Sequence, residues 1–463
     1  MGRTRSRASG HAGAWPSQII SDKNIMSNSH KIIVFSCDAM VWEDVEYLLK
    51  NNPRFSEFFG HGSMVKRMRT IYPSITYPAH VSMLTGCYPA KHGVIHNLEF
   101  HPGMLKAVPW NWWADCIKVP DVHTVAKQLG KVTGNSFWPV TANHRYIDYN
   151  LPEYWPQGPN DTKEACYKRA GVSNALWDEI VEKHIRNVTI RVQPETDQLL
   201  VDCACDMIRK YKPDFFTMHT GCVDHYRHKS GIFSDLVTQG VNLNAQWFFD
   251  VVQATIDAGT FHETNFFLTS DHGQMDIVRS VNINVLLADH GLIDVNDDGS
   301  LKDWRAYCHS TGMSAQIKLR SPDDKDTWKK TYDLLNYLKS EGVYGIGDVY
   351  TAAEVAERDH LAGDFAFVIE TDGYTSFSEN WKRPLIKVLD FSDYRFGYAT
   401  HGYYPTKGPQ PVFLAVGPDI KQGVVIERGD TVDQAPTYAK LLGGEMPWAD
   451  GRPIDDFILN PLP

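Results

Sequence analysis

Three short groups of aspartate and histidine residues along the chain have the composition of a metal site. In DHYRH, Asp224 and His228 are four residues apart, so both side chains lie on one face if the segment forms a helical turn. Asp271 and His272 are adjacent in SDHG, and His401 stands beside a glycine in THGY. Carboxylate oxygen and imidazole nitrogen are ligands that zinc and similar divalent ions prefer. These groups therefore predict a metal-binding site.

A further carboxylate, Asp38, completes the set. With it the chain offers three carboxylates and three imidazoles, which is enough for two sites with three protein ligands each. Three-ligand sites keep positions open for substrate oxygens, and this is the arrangement of catalytic metal centres. Each group taken alone is more often a turn or a capped helix than a ligand set. The metal hypothesis is favoured because one site explains all of the groups together.

The candidate nucleophile is Thr76, in the segment YPSITYPAH (residues 72–80). Pro78 is typical of the first turn of a helix, so Thr76 is predicted to lie near a helix N-terminus, where backbone N–H groups favour an anion. A threonine hydroxyl is a weak nucleophile at neutral pH, and coordination to a divalent cation would lower its pKa and orient it. The alternative is that Thr76 is a plain helix cap, and this segment alone does not decide between the two.

The polar groups mostly follow short apolar runs, which predict buried strands. These runs are residues 31–37, 215–219, 265–269 and 412–416. Helical patterns alternate with the runs, as in residues 198–211. This alternation predicts an α/β fold with a mostly parallel sheet between two layers of helices, and such sheets place their chemistry beyond the carboxyl ends of the strands. We therefore expect Asp38, Asp224 and Asp271 to be neighbours in space.

The chain is predicted to form one catalytic domain, residues 31–463, after a disordered N-terminal tail at residues 1–30. Two intervals, about 98–195 and 277–395, show less of the strand–helix alternation. We expect them to be insertions that cover the site, the second as a cap subdomain. The run WNWW (residues 110–113) is expected to pack the first cover onto the core, with stacking of one ring on a substrate base as the alternative.

Composition excludes several classes of protein. The 463 residues are 43% hydrophobic and 22% charged, as in ordinary soluble globular proteins. A net charge of −10 argues against a nucleic acid polymer as partner, and no apolar stretch approaches the roughly 18 residues of a membrane helix. The eight cysteines form no CxxC pair and are interpreted as reduced thiols, and the first 30 residues lack the apolar core of a secretory signal. We therefore predict a cytoplasmic location, while the oligomeric state is left open.

In chain order, the motifs resemble those of the alkaline phosphatase superfamily, and most closely its nucleotide pyrophosphatase/phosphodiesterase family, the type I phosphodiesterases. The motifs that carry the resemblance are Asp38, TYPAH, TGCYPAKHGVIHN, DHYRHKSG, SDHG and THGY. The resemblance covers about residues 31 to 450. It implies an alkaline phosphatase-like α/β fold, a mostly parallel sheet between helices with inserted covering segments.

The resemblance also implies a role for each site residue. Two divalent ions are implied, with Zn²⁺ as the expected metal and Mn²⁺ as the alternative. Thr76 would be the nucleophile and would bridge toward both ions, while Asn97 and the backbone N–H of Tyr77 would donate to a non-bridging phosphate oxygen. The implied ligands of one ion are Asp224, His228 and His401, and those of the other are Asp38, Asp271 and His272.

The implied activity is hydrolysis of phosphodiester or pyrophosphate bonds in small, nucleotide-type substrates through a phospho-threonine intermediate. The sequence departs from the family pattern at three positions, with Ala39 where Gly is common, Tyr77 where Phe is usual and Ala79 where Asn is common. These departures leave the subfamily and the substrate open. The alternatives are a phosphonate hydrolase similar to phosphonoacetate hydrolase, a phosphomonoesterase on the same metal core, and a metal-binding protein without catalysis.

Overall fold

The structure is a computed structural model that describes residues 30–389 and 397–459. The predicted N-terminal tail (residues 1–30) lies outside the described residues, apart from His30. The strands are β1 (Lys31–Cys37), β2 (Ser63–Arg69), β3 (Thr133–Ser136), β4 (Tyr149–Leu151), β5 (Phe215–Thr220), β6 (Thr264–Thr269), β7 (Met275–Asp276), β8 (Arg279–Asn282), β9 (Ile293–Val295), β10 (Leu301–Trp304), β11 (Ala306–Ser310), β12 (Ser314–Leu319), β13 (Ile346–Thr351), β14 (Phe367–Thr371), β15 (Thr375–Ser378), β16 (Ile386–Lys387), β17 (Ala399–Thr400), β18 (Phe413–Val416) and β19 (Val425–Asp430).

Helices alternate with these strands along much of the chain. They are α1 (Trp42–Asn51), α2 (Pro53–Phe59), α3 (Thr76–Thr85), α4 (Pro89–His92), α5 (Val122–Gln128), α6 (Lys163–Arg169), α7 (Asn174–Leu176), α8 (Glu182–Ile185), α9 (Glu195–Tyr211), α10 (Cys222–Ser230), α11 (Asp235–Ala258), α12 (Ile283–Asp289), α13 (Lys325–Glu341), α14 (Ala352–Asp359) and α15 (Gln434–Leu441). None of the described helices combines the length and the apolar character that a membrane span requires.

Eight strands form the main sheet, in the order β19-β2-β18-β6-β1-β5-β3-β4. Among these strands, β18 pairs antiparallel with both of its neighbours, β2 and β6, and the other neighbouring strands pair parallel. The prediction of an α/β fold with a mostly parallel sheet is therefore confirmed. The predicted strands that precede Asp38, Asp224 and Asp271 are β1, β5 and β6, and these three are adjacent in the sheet.

Strand β1 shows why this sheet lies between two helix layers. Its sequence KIIVFSC is apolar and partly β-branched, and every residue after Lys31 is buried. Because successive side chains of a strand point to opposite faces, Phe35 and Val34 enter different cores. Phe35 packs in an apolar cluster with α9 and α11, whereas Val34 packs in a cluster with α15. A continuous apolar run is what a strand covered on both faces needs.

The two segments predicted as insertions differ in structure. The segment 98–195 adds β3 and β4 to one end of the main sheet. The segment 277–395, of which residues 390–395 lie outside the described residues, holds a separate antiparallel sheet in the order β11-β12-β14-β13. Buried residues of this sheet, α12 and α13 form an apolar cluster of their own. The division into one catalytic domain with two covering insertions stays a prediction.

Candidate active site

The three predicted carboxylate ligands lie at one edge of the main sheet. Asp38 directly follows β1, Asp224 lies in the first turn of the helix after β5, and Asp271 follows β6 by two residues. Parallel neighbours bring their carboxyl ends to the same edge, which is why residues so distant in sequence meet. His228 is one turn after Asp224 on α10, as its spacing predicts, and His272 follows Asp271 directly.

The first group consists of Asp224, His228 and His401. Asp224 Oδ1 lies 3.4 Å from His228 Nε2 and 3.8 Å from His401 Nε2. Burial raises the pKa of Asp224, but the facing imidazoles outweigh burial and hold this pKa below its usual range. His228 Nδ1 donates to the carbonyl oxygen of Ala399 (2.6 Å), which orients Nε2 toward the group.

The second group consists of Asp38, Asp271 and His272. His272 Nε2 lies 3.5 Å from Asp38 Oδ1 and 3.2 Å from Asp271 Oδ2. Two atoms that bind one zinc ion in tetrahedral geometry are about 3.3–3.6 Å apart, given metal–ligand bonds of about 2.0–2.2 Å. The ligand atoms of each group lie within 4.8 Å of one another. The spacings within each group are therefore suited to binding one ion per group.

The charges of the site also fit divalent cations. Asp38 Oδ1 and Asp271 Oδ2 are buried and have no hydrogen-bond partner in the described part of the chain. Burial raises the pKa of Asp38 well above its usual range, and the charges of Asp271 and Asp224 raise it further. Buried, crowded carboxylates are costly unless a cation neutralises them. The donor set of imidazole nitrogen and carboxylate oxygen suits zinc, so the residues present fit a two-metal centre.

The two groups are direct neighbours, and Thr76 lies beside them. The rings of His272 and His401 are stacked, with centroids 4.0 Å apart. Thr76 is the first residue of α3, as predicted, and its side chain is almost fully buried. Thr76 Oγ1 lies 3.2 Å from His272 Nε2. The structure thus brings the candidate nucleophile to the second ligand group, at a helix N-terminus that favours a bound anion.

Asn97 and Tyr77 lie together next to Thr76. The backbone N–H of Tyr77 donates to Asn97 Oδ1 at 2.9 Å. The resemblance implied that both groups would donate to a phosphate oxygen, but here the Tyr77 N–H donates to Asn97 and orients its side chain. With its Oδ1 engaged, Asn97 has its Nδ2 amino group as the donor it can offer to a ligand.

Comparison with known proteins identifies the family. A sequence model described as type I phosphodiesterase / nucleotide pyrophosphatase matches residues 32–404, a range that includes both ligand groups, Thr76 and Asn97. The chain belongs to this family. The predicted resemblance is therefore confirmed.

Two family members show the extent of the similarity. Bovine ectonucleotide pyrophosphatase/phosphodiesterase family member 3 is 23% identical over 87% of this chain, which spans 41% of that protein. Rat family member 7 is 28% identical over 94% of this chain and 87% of its own length. The chain thus spans less than half the length of the first relative and most of the second.

Solved structures of family members show the same fold. An inactive form of murine family member 5, in complex with AMP, superposes with a TM-score of 0.64 at 18% identity. The match covers 93% of this chain and 100% of that one. At this identity the similarity shows the fold alone, and it confirms the predicted alkaline phosphatase-like architecture.

A departure from the family pattern has a visible conformation. Ala39, which stands where many members have Gly, has a φ of +58°. This left-handed region favours Gly and costs other residues about 1–2 kcal/mol. The turn directs the Ala39 N–H to Asp271 Oδ1 at 3.2 Å and so helps to fix a proposed ligand. The family's usual Gly suits this backbone, and here Ala adopts it under strain.

A third group of metal-binding residue types, His96, His309 and Glu379, lies at the contact between the small sheet and the segment that carries Asn97. Its geometry differs from that of the two groups above. The rings of His96 and His309 are stacked, with centroids 3.6 Å apart. His96 Nε2 donates to the carbonyl oxygen of Ser310 at 2.8 Å, and its Nδ1 accepts the backbone N–H of residue 98. With both ring nitrogens of His96 in use, we assign this group a structural role.

An aromatic wall begins at Tyr77, the residue after Thr76. The ring of Tyr77 lies 5.1 Å from that of Trp110, which lies 5.3 Å from that of Trp155. The guanidinium of Arg191 lies over Trp155, 4.5 Å from the ring centroid. Sequence analysis missed Trp155 and Arg191, because no spacing or motif connects residues 110, 155 and 191. Trp112 is buried and packs against Trp155, a ring of the same segment, so the packing of the first cover onto the core stays a prediction.

A buried ion pair connects the helix and the turn that carry two of the proposed ligands. Arg227, on α10 between Asp224 and His228, pairs with Asp44 of α1, and both side chains are buried. Arg227 Nε also donates to the carbonyl oxygen of Ala39 at 3.1 Å. The pair therefore ties the helix that carries the first ligand group to the turn that follows Asp38.

Replacing Asp44 with Ala should destabilise the fold by about 3–5 kcal/mol, because it leaves the charge of Arg227 buried without its partner. Urea unfolding followed by circular dichroism measures the loss. The matched control is Asp333→Ala, which breaks an exposed pair with Lys329 and should cost less than about 1 kcal/mol. Equal losses for the two variants would contradict the assigned role of the buried pair.

Proposed function

We propose that this family member is a two-metal hydrolase of phosphodiester or pyrophosphate bonds in small, nucleotide-type substrates. The observation that carries the proposal is the position of Thr76, whose Oγ1 lies 3.2 Å from His272 Nε2 at the junction of two ligand groups. Nucleotide-type substrates are supported by the names of the relatives and by the AMP bound to murine family member 5.

Two metal ions fit the six ligands, with zinc as the proposed metal and manganese as the alternative. The ligands Asp224, His228 and His401 would hold one ion, and Asp38, Asp271 and His272 the other. When bound, such a pair of ions lowers the pKa of a coordinated hydroxyl and stabilises the leaving oxygen of an in-line displacement.

The side chains of the chain itself have defined tasks in this proposal. Thr76 Oγ1 forms a bond to phosphorus while the bond to the leaving oxygen breaks, which gives a phospho-threonine. Water then attacks this phosphorus and returns the Thr76 hydroxyl. The Asn97 Nδ2 amino group, oriented by the Tyr77 N–H, donates to a non-bridging oxygen. Partial positive charge at the N-terminus of α3 favours the same anionic centre.

A substrate panel tests the proposed bond class. With zinc-loaded protein, kcat/KM should be highest for bis-p-nitrophenyl phosphate and ATP, and at least ~100-fold lower for p-nitrophenyl phosphate and phosphonoacetate. A monoester carries a further charged oxygen that requires further donors, and phosphonoacetate requires cleavage of a carbon–phosphorus bond. Preference for either of these substrates would replace the proposal by the corresponding alternative. Tight ATP binding without hydrolysis would indicate the non-catalytic one.

The cytoplasmic location remains a proposal based on composition. All eight cysteines are free thiols in the structure, and seven of them are buried. Free thiols are typical of a reducing compartment, where disulfides rarely persist. The net charge of −10 argues against a nucleic acid polymer as partner, and a small anionic substrate would be held by the bound cations.

A further inference from the structure

His80 is a fully buried histidine of α3, one helical turn after Thr76. Its side chain contacts the backbone of Thr76, the carboxylate of Asp271 and the hydroxyl of Ser36. Two of these contacts lie at the proposed site, on the candidate nucleophile and on a proposed metal ligand. The geometry of the ring therefore bears on how the site is held together.

Two hydrogen bonds fix the ring of His80. Its Nδ1 lies 2.9 Å from the carbonyl oxygen of Thr76, and its Nε2 lies 2.9 Å from Ser36 Oγ. A carbonyl oxygen only accepts hydrogen bonds, so Nδ1 carries a proton and donates it. Full burial favours the neutral ring, in which Nε2 accepts from the Ser36 hydroxyl. The contacts thus select one tautomer and one orientation of the ring.

This orientation brings the protonated Nδ1 close to a proposed metal ligand. Nδ1 lies 3.5 Å from Asp271 Oδ2, the oxygen that lies 3.2 Å from His272 Nε2. At 3.5 Å the contact is electrostatic and longer than an ordinary hydrogen bond. Asp271 Oδ2 is buried and has no hydrogen-bond partner among the described residues, so a nearby polar N–H stabilises its negative charge. One N–H group therefore acts on the nucleophile's backbone and on a ligand oxygen.

Two aromatic neighbours restrict the ring of His80 further. Trp138 contacts it edge-to-face with ring centroids 4.8 Å apart, and His219 does the same at 4.3 Å. His219 Nε2 in turn lies 3.4 Å from Asp38 Oδ2, a carboxylate of the same ligand group as Asp271. Side chains that packing and hydrogen bonds lock in one rotamer are what a precise site needs around it.

The competing interpretation is that His80 is itself a metal ligand. Its distance of 3.5 Å to Asp271 Oδ2 lies in the range expected for two ligand atoms of one zinc ion. A ligand nitrogen needs a free lone pair, however. Nδ1 carries the proton donated to the Thr76 carbonyl, and Nε2 uses its lone pair to accept from Ser36. The observed contacts therefore favour orientation of the site over coordination.

We infer that His80 is a positioning residue, whose Nδ1–H group holds Thr76 and Asp271 in the arrangement that the reaction needs. The inference deepens the proposed two-metal function and rests on it. Ser36 fixes the ring from β1, two residues before Asp38, so the contacts connect the strand that leads to one ligand with the helix that begins at the nucleophile. Groups that orient metal ligands in this way commonly contribute about 10- to 100-fold to metal affinity or activity.

His80→Asn and His80→Gln separate positioning from packing. The amide nitrogen of Asn lies about where Nδ1 does and can donate to Thr76, whereas that of Gln reaches about as far as Nε2. Gln fills more of the ring's volume, so a packing role makes Gln the milder change and a positioning role makes Asn the milder one. We expect His80→Gln to weaken binding of one zinc equivalent about 10- to 100-fold, and His80→Asn to weaken it less than about 5-fold. Competition with a chromophoric chelator measures these affinities.

The kinetics of the zinc-saturated variants should follow the same order. With bis-p-nitrophenyl phosphate, kcat of His80→Gln should fall more than KM rises, because a displaced Thr76 impairs attack more than binding. Tighter zinc binding in His80→Gln than in His80→Asn would overturn the inference. So would parental zinc affinity in His80→Gln.

His92→Gln is the matched control. His92 is also fully buried, and its Nε2 lies 3.0 Å from the hydroxyl of Ser82 on the same helix, α3. Its Nδ1 accepts the backbone N–H of Val94, so both of its hydrogen bonds lie outside the ligand groups. This variant should lose stability in urea unfolding but keep the parental zinc affinities. An equal loss of zinc affinity in His80→Gln and His92→Gln would overturn the inference in favour of packing.

Ser36→Ala tests the same contact with a change that leaves every ring in place. It removes the hydroxyl that donates to His80 Nε2, and Ser82→Ala removes the corresponding hydroxyl beside His92. Ser36→Ala should weaken binding of one zinc equivalent about 3- to 10-fold, while Ser82→Ala should not, and equal affinities would overturn the inference. These affinities are measured without substrate. If the parent protein binds two zinc equivalents but hydrolyses none of the substrates, the proposed function fails, and the zinc affinities of the variants still decide the role of His80.

Discussion

Replacing Thr76 with Ala is expected to lower kcat by at least ~10⁴-fold while the protein keeps its fold and its metal. The reason is that the hydroxyl oxygen that forms the bond to phosphorus is gone, so the two-step route is closed. The substitution is mild for the helix, because no side-chain hydrogen bond caps the start of α3. Hydrolysis of bis-p-nitrophenyl phosphate, together with metal content by mass spectrometry, measures both parts of the expectation.

Thr85→Ala is the control for the loss of a buried threonine in the same helix. Thr85 Oγ1 donates to the carbonyl oxygen of Val81 at 2.7 Å, at the end of α3 remote from His272. This variant should lose some stability but keep its turnover. Thr76→Ser, which retains a hydroxyl, should keep part of the activity. Parental turnover in Thr76→Ala would show that another group is the nucleophile.

The sequence determines the central part of the site because the signals there are local. The run KIIVFSC predicts a strand by its own composition, and Asp38 follows it directly. The spacing of Asp224 and His228 predicts that they share a helix face, and both lie on α10. Parallel pairing of β1 with β5 and β6 then brings the separate groups together without further information. His401, by contrast, follows a strand of only two residues, β17. Its assignment to the same ion as Asp224 and His228 therefore came from the resemblance.

The outer part of the site could not be predicted, for physical reasons. The contacts among Trp110, Trp155 and Arg191 depend on how a long segment folds back on itself. Such contacts leave no periodic pattern in the sequence. Strands β3 and β4 have only four and three residues, which is too short for an alternation of apolar and polar positions to be visible. The hydrogen bond from Tyr77 to Asn97 likewise depends on a tertiary approach. Specificity is therefore harder to predict than the metal centre.

Asp271→Asn is expected to remove about one of two metal equivalents and to lower kcat/KM at least ~10³-fold. Asn has nearly the shape of Asp, and its Oδ1 can still accept from the Ala39 N–H, which Asp271 Oδ1 accepts at 3.2 Å. The amide nitrogen, however, would replace Asp271 Oδ2 beside His272 Nε2, and an amide nitrogen is a poor metal ligand. Metal content and hydrolysis of bis-p-nitrophenyl phosphate measure the two losses.

Stability of the same variant should change in opposite directions with and without metal. In a chelator, Asp271→Asn should be at least as stable as the parent, because a negative charge beside Asp38 is removed from a buried cluster. In zinc the order should reverse, since an ion that binds only the folded protein stabilises it by about 4 kcal/mol at 1,000 times its Kd. Thermal unfolding in both buffers tests this, with Asp333→Asn on the exposed surface as a control that should respond to zinc as the parent does. Destabilisation of Asp271→Asn in both buffers, with two metal equivalents retained, would assign Asp271 a structural role instead of metal binding.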